Sequence, residues 1–387
     1  FKEKDVYRLG KILFGLKPEE KQILSQTLKH NKQDEDAQFI YVEPAICLEV
    51  KYLEVFENEL REPYFDRFRF DLSVEDCSFD QFMLQQKNLP TDLEITHPDK
   101  ALWTEMDIKK SSYIHYLREI SPYTLPFLTN RALTVIRYPH GIHGEAFYQK
   151  NCPDYAPDFV QTYSENGVDF ILCNNVETLI WLGNQLAIEF HIPFQTIRYS
   201  GPEEIIFDLD PPSKDDFSLA IKGVSIIKEV LDELNLTSFV KTSGNKGLQV
   251  YIPLPENTYT YEETRLFTSF IADYLVSRDP NSFTIERMKK NRGGRLYVDY
   301  VQHAEGKTII APYSLRGNEW AGVATPLFWE EVNEKLSLES FCFQNTLKRL
   351  QTVGDPFREY FHSKQHQAFT PVLDFLRASA EKKNKKG

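Results

Sequence analysis

Along residues 205–210, IIFDLD, apolar side chains hold the first positions and two aspartates, one residue apart, close the run. Successive side chains of a strand point to opposite faces, so Asp208 and Asp210 share one face and Phe207 and Leu209 the other. One face suits a core and the other collects negative charge. Pro211 and Pro212 end the strand. Beyond them Phe217, Ala220, Val224, Ile227, Leu231 and Leu234 recur every three or four residues, which predicts a helix with one apolar stripe. Ser213, with Asp216 three positions later, gives a capping signal at its start.

Upstream, ICLEVKYLEVF and YFDRFRF alternate on either side of a Glu-Asn-Glu turn, as expected of a small antiparallel barrel. Before them KPEEKQILSQTLKH reads as an amphipathic helix that runs into a polar loop, NKQDEDA. From about Ile95 onward helical and strand patterns alternate, which predicts an α+β domain with a mixed or antiparallel sheet core flanked by helices. The pattern divides the chain into a β-barrel over 1–72, a linker over 73–92, the α+β domain over 93–375, and a charged, frayed tail over 376–387. Phe1 stands partway into the barrel unit, so the N-terminus is expected to be a cut edge.

A chain of 387 residues, 41% of them hydrophobic, can build at least one sizeable core. No apolar run approaches the ~20 residues that span a bilayer, and no leader opens the chain, so a cytoplasmic location is expected. Cys47, Cys77, Cys152, Cys173 and Cys342 lack C-x-x-C spacing, which argues for reduced, mostly buried thiols rather than a disulfide framework or zinc site. The net charge of −12 weighs against general affinity for nucleic acid. Its distribution changes that picture: RMKKNRGGR (287–295), with Arg292 and Arg295, is a basic band without an acid and can hold a phosphate backbone locally.

Like charges as close as Asp208 and Asp210 repel unless a cation sits between them, and a hard, all-oxygen pair suits Mg²⁺ or Mn²⁺. Alone, D-x-D at a strand end is more commonly a turn or helix cap than a metal site. Asp299 in GRLYVDYVQ adds a third acid on an alternating run, although it could be an edge-strand charge. Three such acids on neighbouring strands could hold two divalent ions ~3.5–4 Å apart. KTSGNKGLQVYIPL sets glycines, the Ser243 hydroxyl and the Lys246 charge between two strand-like runs, either as a phosphate cradle or as an ordinary hairpin. Gln302 and Arg316 follow Asp299, and Arg316 could clamp a phosphate. His191 lies in the apolar run IEFHIPF, where a core histidine is the plainer reading. Carboxylates, cradle, clamp and basic band together describe phosphoryl transfer.

THPDKALW, IRYPHGIHGEAFYQKN, EFHIP, FDLDPP, TSGNKGL and RLYVDYVQHAEGKTIIAPYSLRG occur in the order of the polymerase domain of bacterial DNA ligase D. Residues 93–375 resemble that domain, which is itself similar to archaeal and eukaryotic primases. The resemblance implies a template-dependent nucleotidyltransferase of non-homologous end joining. Such an enzyme fills gaps and extends ends, prefers ribonucleotides, and uses Mn²⁺ or Mg²⁺ in a two-metal site. The implied partners are DNA ends or gapped DNA with a 5′-phosphate, nucleoside triphosphates and the Ku end-binding protein, in a bacterial, nucleoid-associated setting. By motif, Asp208, Asp210 and Asp299 look like the catalytic metal ligands, and His191, Ser243, Lys246, Gln302 and Arg316 like nucleotide and triphosphate contacts. Tyr148 looks like the aromatic that stacks on the incoming base, and Lys100 and Lys110 like the 5′-phosphate pocket. Two positions depart from the pattern: Gln249 replaces the usual histidine, and Ile136 a common lysine.

The first 72 residues resemble the OB-fold end of an ATP-dependent DNA ligase, whose closing R-x-D-K reads here Arg69-Phe70-Asp71-Leu72. No K-x-D-G occurs, so the lysine that accepts AMP is missing and nick sealing is not expected. The chain thus reads as a fragment of a ligase D whose ligase precedes its polymerase. A metal-dependent phosphodiesterase and a non-catalytic end-bridging module are the competing readings.

Overall fold

The computed structural model describes residues 9–12, 15–36, 39–52, 54–56, 59–61, 63–70, 77 and 93–384. They belong to two compact units, Phe1–Asp92 and Leu93–Gly387. In the first, Pro18 opens the helix Pro18–His30, and Glu20 accepts from the backbone N–H of Lys17 at 2.9 Å. Three antiparallel pairs follow: β1 (Lys32–Glu35) with β2 (Ile40–Val42), β3 (Leu48–Lys51) with β6 (Tyr64–Phe68), and β4 (Glu54–Phe56) with β5 (Glu59–Arg61). The stretch expected as a polar loop therefore holds β1, turned back by Asp36, whose Oδ1 accepts from Phe39 N at 2.8 Å. Among the described residues these pairs are separate two-stranded ladders and do not close into the expected barrel. Phe1 and, apart from Cys77, the expected linker lie outside the described residues.

The second unit is α+β, as expected. A hairpin of β7 (Ala101–Trp103) and β8 (Ile108–Lys109) leads into the helix Lys110–Leu128. One antiparallel sheet has the order β10 (Phe147–Gln149), β9 (Thr134–Arg137), β13 (Ala187–Pro193), β19 (Thr308–Ile310), beside a separate hairpin of β11 (Gln161–Glu165) and β12 (Val168–Leu172). The larger sheet runs β17 (Phe283–Thr284), β18 (Leu296–Val298), β14 (Glu204–Asp210), β16 (Leu248–Pro253), β15 (Phe239–Thr242), β20 (Pro326–Leu327). It is antiparallel except for the β17–β18 pair.

Strand β14 shows why the sequence folds this way. Ile205, Phe207 and Leu209 face a core shared with Ala220, Val224, Ile227 and Leu231 of the helix Phe217–Glu233 and with Phe267 and Ile271 of the helix Tyr261–Arg278. Burying each large side chain contributes about 1.5–3 kcal/mol. Ile206 points the other way, into a second core with Tyr251 and Ile192, and farther along that same face stand Asp208 and Asp210.

Three sequence expectations change in this unit. The helix begins at Phe217 rather than near Ser213, because Ser213 Oγ donates to Asp216 Oδ2 at 2.7 Å and leaves Asp216 as the N-cap. Strand β18 stops at Val298, because Asp299 Oδ1 accepts from the backbone N–H of Gln302 at 3.0 Å and turns the chain. The tail expected to fray is helical as Phe369–Asn384, anchored by buried Phe369, Val372 and Leu373 and by an ion pair of Arg377 with Glu263.

Candidate active site

Asp208 and Asp210 open into a cavity of ≈ 160 Å³ between the two sheets. Its walls come from His191 on β13, Thr308–Ile310 on β19, Gln249 on β16, and Ser243, Asn245, Gln302 and Arg316 on connecting segments. Four of the residues expected to contact nucleotide thus share one cavity with two of the expected acids. Burial and the charge of Asp210 push the Asp208 carboxyl up to about 7, against the pull of its Gln249 hydrogen bond and of Lys241. Asp210 is raised as well, by desolvation and by Asp299, while Lys246 and Arg316 oppose the rise. Among the described residues no three histidine, cysteine or acidic side chains gather as a metal-binding cluster. Asp299 bears on both aspartates electrostatically, yet its carboxylate is turned to the Tyr297 hydroxyl, at 3.3 Å, and to Gln302 N.

The segment Ser243–Gly247 crosses this wall because its glycines let it. Gly244 has φ +70°, and a Cβ there would lie 2.7 Å from Arg316 Cγ. A Cβ on Gly247 would lie 2.5 Å from Asp210 Oδ1 and 2.6 Å from Leu209 O. Ser243 Oγ accepts from Gly247 N at 3.0 Å and closes the turn. Gly247→Ala is therefore expected to displace Asp210 and the β14 backbone at Leu209, lowering turnover by about 100-fold together with some loss of stability. Steady-state rates beside a melting curve check this.

Lys246 does not line the cavity. Its ammonium donates to the carbonyls of Pro211 and Pro212 at 2.6 and 3.2 Å, behind Asp210. Tyr148 is an exposed ring on β10, near enough to Tyr138 to influence its hydroxyl. Lys100 borders a separate cavity of ≈ 360 Å³ with His97, Pro98 and Asp99. Lys110 instead is buried, with Nζ on Thr96 O and Oγ1 at 2.5 and 3.0 Å, and burial beside Lys100 lowers it to about 8. Arg292 and Arg295 are committed to the loop itself: Arg292 lies over the Tyr297 ring and donates to Glu286 O, and Arg295 donates to Arg292 O. Arg287, Lys289 and Lys290 are the basic side chains that this loop exposes.

Ile136 is a buried core residue, and Gln249 Nε2 donates to Asp208 Oδ1 at 3.0 Å. Across the sheet Gln249 is paired with Lys241, a lysine without solvent exposure whose charge burial strongly disfavours, so Lys241, Gln249 and Asp208 form a polar row. Sequence reading passed over Lys241 and also Glu189, a buried acid that meets His191 and Arg316. Glu189 stands two residues before His191 on β13, hence on its face, and Lys241 two residues before Ser243, which lies just past the end of β15; that spacing was the available signal.

Residues 109–357 match the family described as LigD, primase-polymerase domain. The bifunctional non-homologous end joining protein LigD of Bacillus subtilis is 44% identical over 370 residues, 95% of this chain and 60% of that protein. The multifunctional non-homologous end joining protein LigD of Mycolicibacterium smegmatis is 29% identical over 270 residues, 68% of this chain and 35% of that protein. The polymerase domain from Mycobacterium tuberculosis ligase D in complex with DNA matches with a TM-score of 0.64 and 26% identity, over 68% of this chain and 96% of that one. The chain spans 60% or less of these two relatives' length. With the sheet, the cavity and these matches in agreement, the chain belongs to the LigD family and carries its primase-polymerase domain.

Proposed function

We propose that this chain adds nucleotides, ribonucleotides in preference, to a DNA primer in template order, at gaps and ends that carry a downstream 5′-phosphate. The observation that carries the reading is the Asp208–Asp210 pair, set on one strand face in a cavity whose other walls bring Arg316, His191, Ser243 and Gln302. The pair fits a divalent cation: burial and neighbouring acids raise both carboxyls more than the nearby Lys241, Lys246 and Arg316 lower them, so further positive charge would be taken up favourably. Asp208 and Asp210, with Asp299 beside them, would hold Mn²⁺ or Mg²⁺ in a two-metal arrangement. When bound, such ions polarise phosphoryl oxygens and favour ionisation of an attacking hydroxyl.

The protein's own groups do the rest. Arg316 offers a planar fork to triphosphate oxygens and meets the charge that develops on departing pyrophosphate. Ser243 and His191 orient the nucleotide, Gln302 holds the turn that carries Asp299, and Lys246 fixes the Pro211–Pro212 loop behind Asp210. Tyr148 offers its exposed ring to the base, and Lys100 faces the downstream phosphate with Lys110 supporting its loop. The 287–295 loop, braced by Arg292 and Arg295, presents its remaining cations to the DNA backbone. Residues 1–72 correspond to the end of an ATP-dependent ligase domain, this chain holds no K-x-D-G lysine to accept AMP, and Ku and the nucleoid are the setting.

A labelled primer on gapped DNA with a downstream 5′-phosphate tests this reading. Extension with Mn²⁺ should be faster with ribonucleotides than with deoxynucleotides and slower once the 5′-phosphate is removed, and a nick should stay open with ATP. Equal rates for the two sugars, or a sealed nick, would contradict it.

A further inference from the structure

We infer that Glu189 is the positioning residue of the nucleotide pocket, one buried carboxylate that aims Arg316 and His191 together. This rests on the polymerase reading above and assigns a role to a side chain that does not itself line the cavity. The two oxygens of Glu189 have separate tasks. Oε2 receives His191 Nε2 at 3.0 Å and Arg316 Nη1 at 3.3 Å, both side chains of the cavity wall. Oε1 receives the Tyr138 hydroxyl at 3.0 Å and the backbone N–H of Gly317 at 2.9 Å. The pocket pair is thereby referenced to the end of β9 and to the main chain that follows Arg316.

The sequence around Arg316 is built for this contact. A Cβ at position 317 would fall 2.1 Å from Tyr138 Cζ, so only glycine lets Tyr138 lie against the backbone and reach Oε1. Glu189 is only 4% exposed, and a buried acid is costly unless donors surround it. Here burial raises its carboxyl, but His191, Arg316 and Gly317 N outweigh that and hold it below the usual range. The ionised group thus pairs with one end of the Arg316 guanidinium and leaves the rest of it for a ligand. With Nε2 occupied, His191 presents Nδ1 as the ring atom available to a nucleotide. A flexible arginine held in advance loses less freedom on binding, so the benefit falls on nucleotide affinity.

Glu189→Gln tests the inference, because an amide offers one acceptor oxygen where two are in use. Equilibrium binding of ATP with Mn²⁺ by calorimetry, and the nucleotide KM in primer extension, should weaken at least about tenfold. DNA affinity should change far less, and the ATP-binding penalties of Glu189→Gln and Arg316→Ala should combine to less than their product, because in the double variant Glu189→Gln adds only the loss of its hold on His191. Tyr138→Phe, which removes one donor from Oε1 and keeps the ring, should shift ATP affinity in the same direction by about threefold. Unchanged ATP affinity in a folded Glu189→Gln protein would overturn the inference, as would penalties that multiply in the double variant. If Glu189→Gln fails to fold, unchanged affinity in Tyr138→Phe overturns it. An unmutated protein that binds ATP but does not extend a primer would sink the polymerase reading and leave the affinity comparison to decide the role of Glu189.

Discussion

Asp208→Asn is expected to cut nucleotide incorporation roughly 100- to 1,000-fold and, at the same time, to raise the melting temperature of the metal-free protein. Both effects have one cause. Asp208 and Asp210 stand on the same face of β14 with burial and repulsion against them, and asparagine keeps the shape and the acceptor for Gln249 Nε2 while removing a charge. A free aspartate titrates near about 3.9, whereas Asp208 in the fold is pushed up to about 7. Between those values the folded state holds a proton that the unfolded chain has released. The contribution of this group to stability is therefore present at low pH and lost as pH rises through 7. The gain from Asp208→Asn should accordingly appear above neutrality and vanish below pH 4. Added Mn²⁺ should stabilise the unmutated protein more than the variant, which keeps only Asp210 of the pair. Melting curves across pH, with and without the metal, check all three. A variant that melts lower at pH 8 without metal would show that Asp208 serves the fold rather than the reaction.

The largest effect on stability is expected at the other end of the same strand. Arg131 Nη1 and Nη2 meet Glu204 Oε1 and Oε2 at 2.6 and 3.0 Å, with both side chains almost wholly out of water. Arg131 also donates to Pro193 O, the last residue of β13, and Tyr360 OH donates to Glu204 Oε2 at 2.8 Å. The fork thus joins the end of one sheet to the start of the strand that carries the acids. Arg131→Met leaves a buried carboxylate with the Tyr360 hydroxyl in place of its cation, which costs about 3–5 kcal/mol and should lower the melting temperature by roughly 10 °C. Arg131→Met/Glu204→Met removes both charges and should recover much of the loss, since a buried pair is worth little against packed apolar groups. Calorimetry of the two variants separates the outcomes: equal losses would mean that the arginine acts through packing alone.

What could be read from the chain was what repeats locally. Period two fixed the faces of β14, and period near 3.6 placed Ala220, Val224, Ile227 and Leu231 against it; all four are buried. The order of the acids, the Ser243–Gly247 turn, His191 and Arg316 was legible because motifs carry it, and the fold draws six of those residues to one cavity. Local competition blurred the boundaries: the Ser213–Asp216 bond delays a helix, and the Asp299 turn shortens a strand. Exposed charge was overread. Arg292 and Arg295 looked free for phosphate, yet their guanidinium groups are taken by backbone carbonyls of their own loop, which no spacing rule anticipates.

Buried charge was underread for the opposite reason. Glu189 and Lys241 gain their meaning from partners that the chain supplies elsewhere, such as Gly317, whose N–H lies 128 positions beyond Glu189. A strand pattern marks such a position as inward and polar, and only tertiary contact says what it holds.

The central claim is that Asp208 and Asp210 hold the metal on which nucleotide addition depends. The most direct measurement titrates Mn²⁺ against one preparation while following primer extension and thermal stabilisation together, with Asp208→Asn/Asp210→Asn beside it. The account predicts that the two signals rise over the same metal concentrations and that both are absent from the double variant. Extension that persists in chelator, or Mn²⁺ stabilisation that survives the loss of both aspartates, would contradict it.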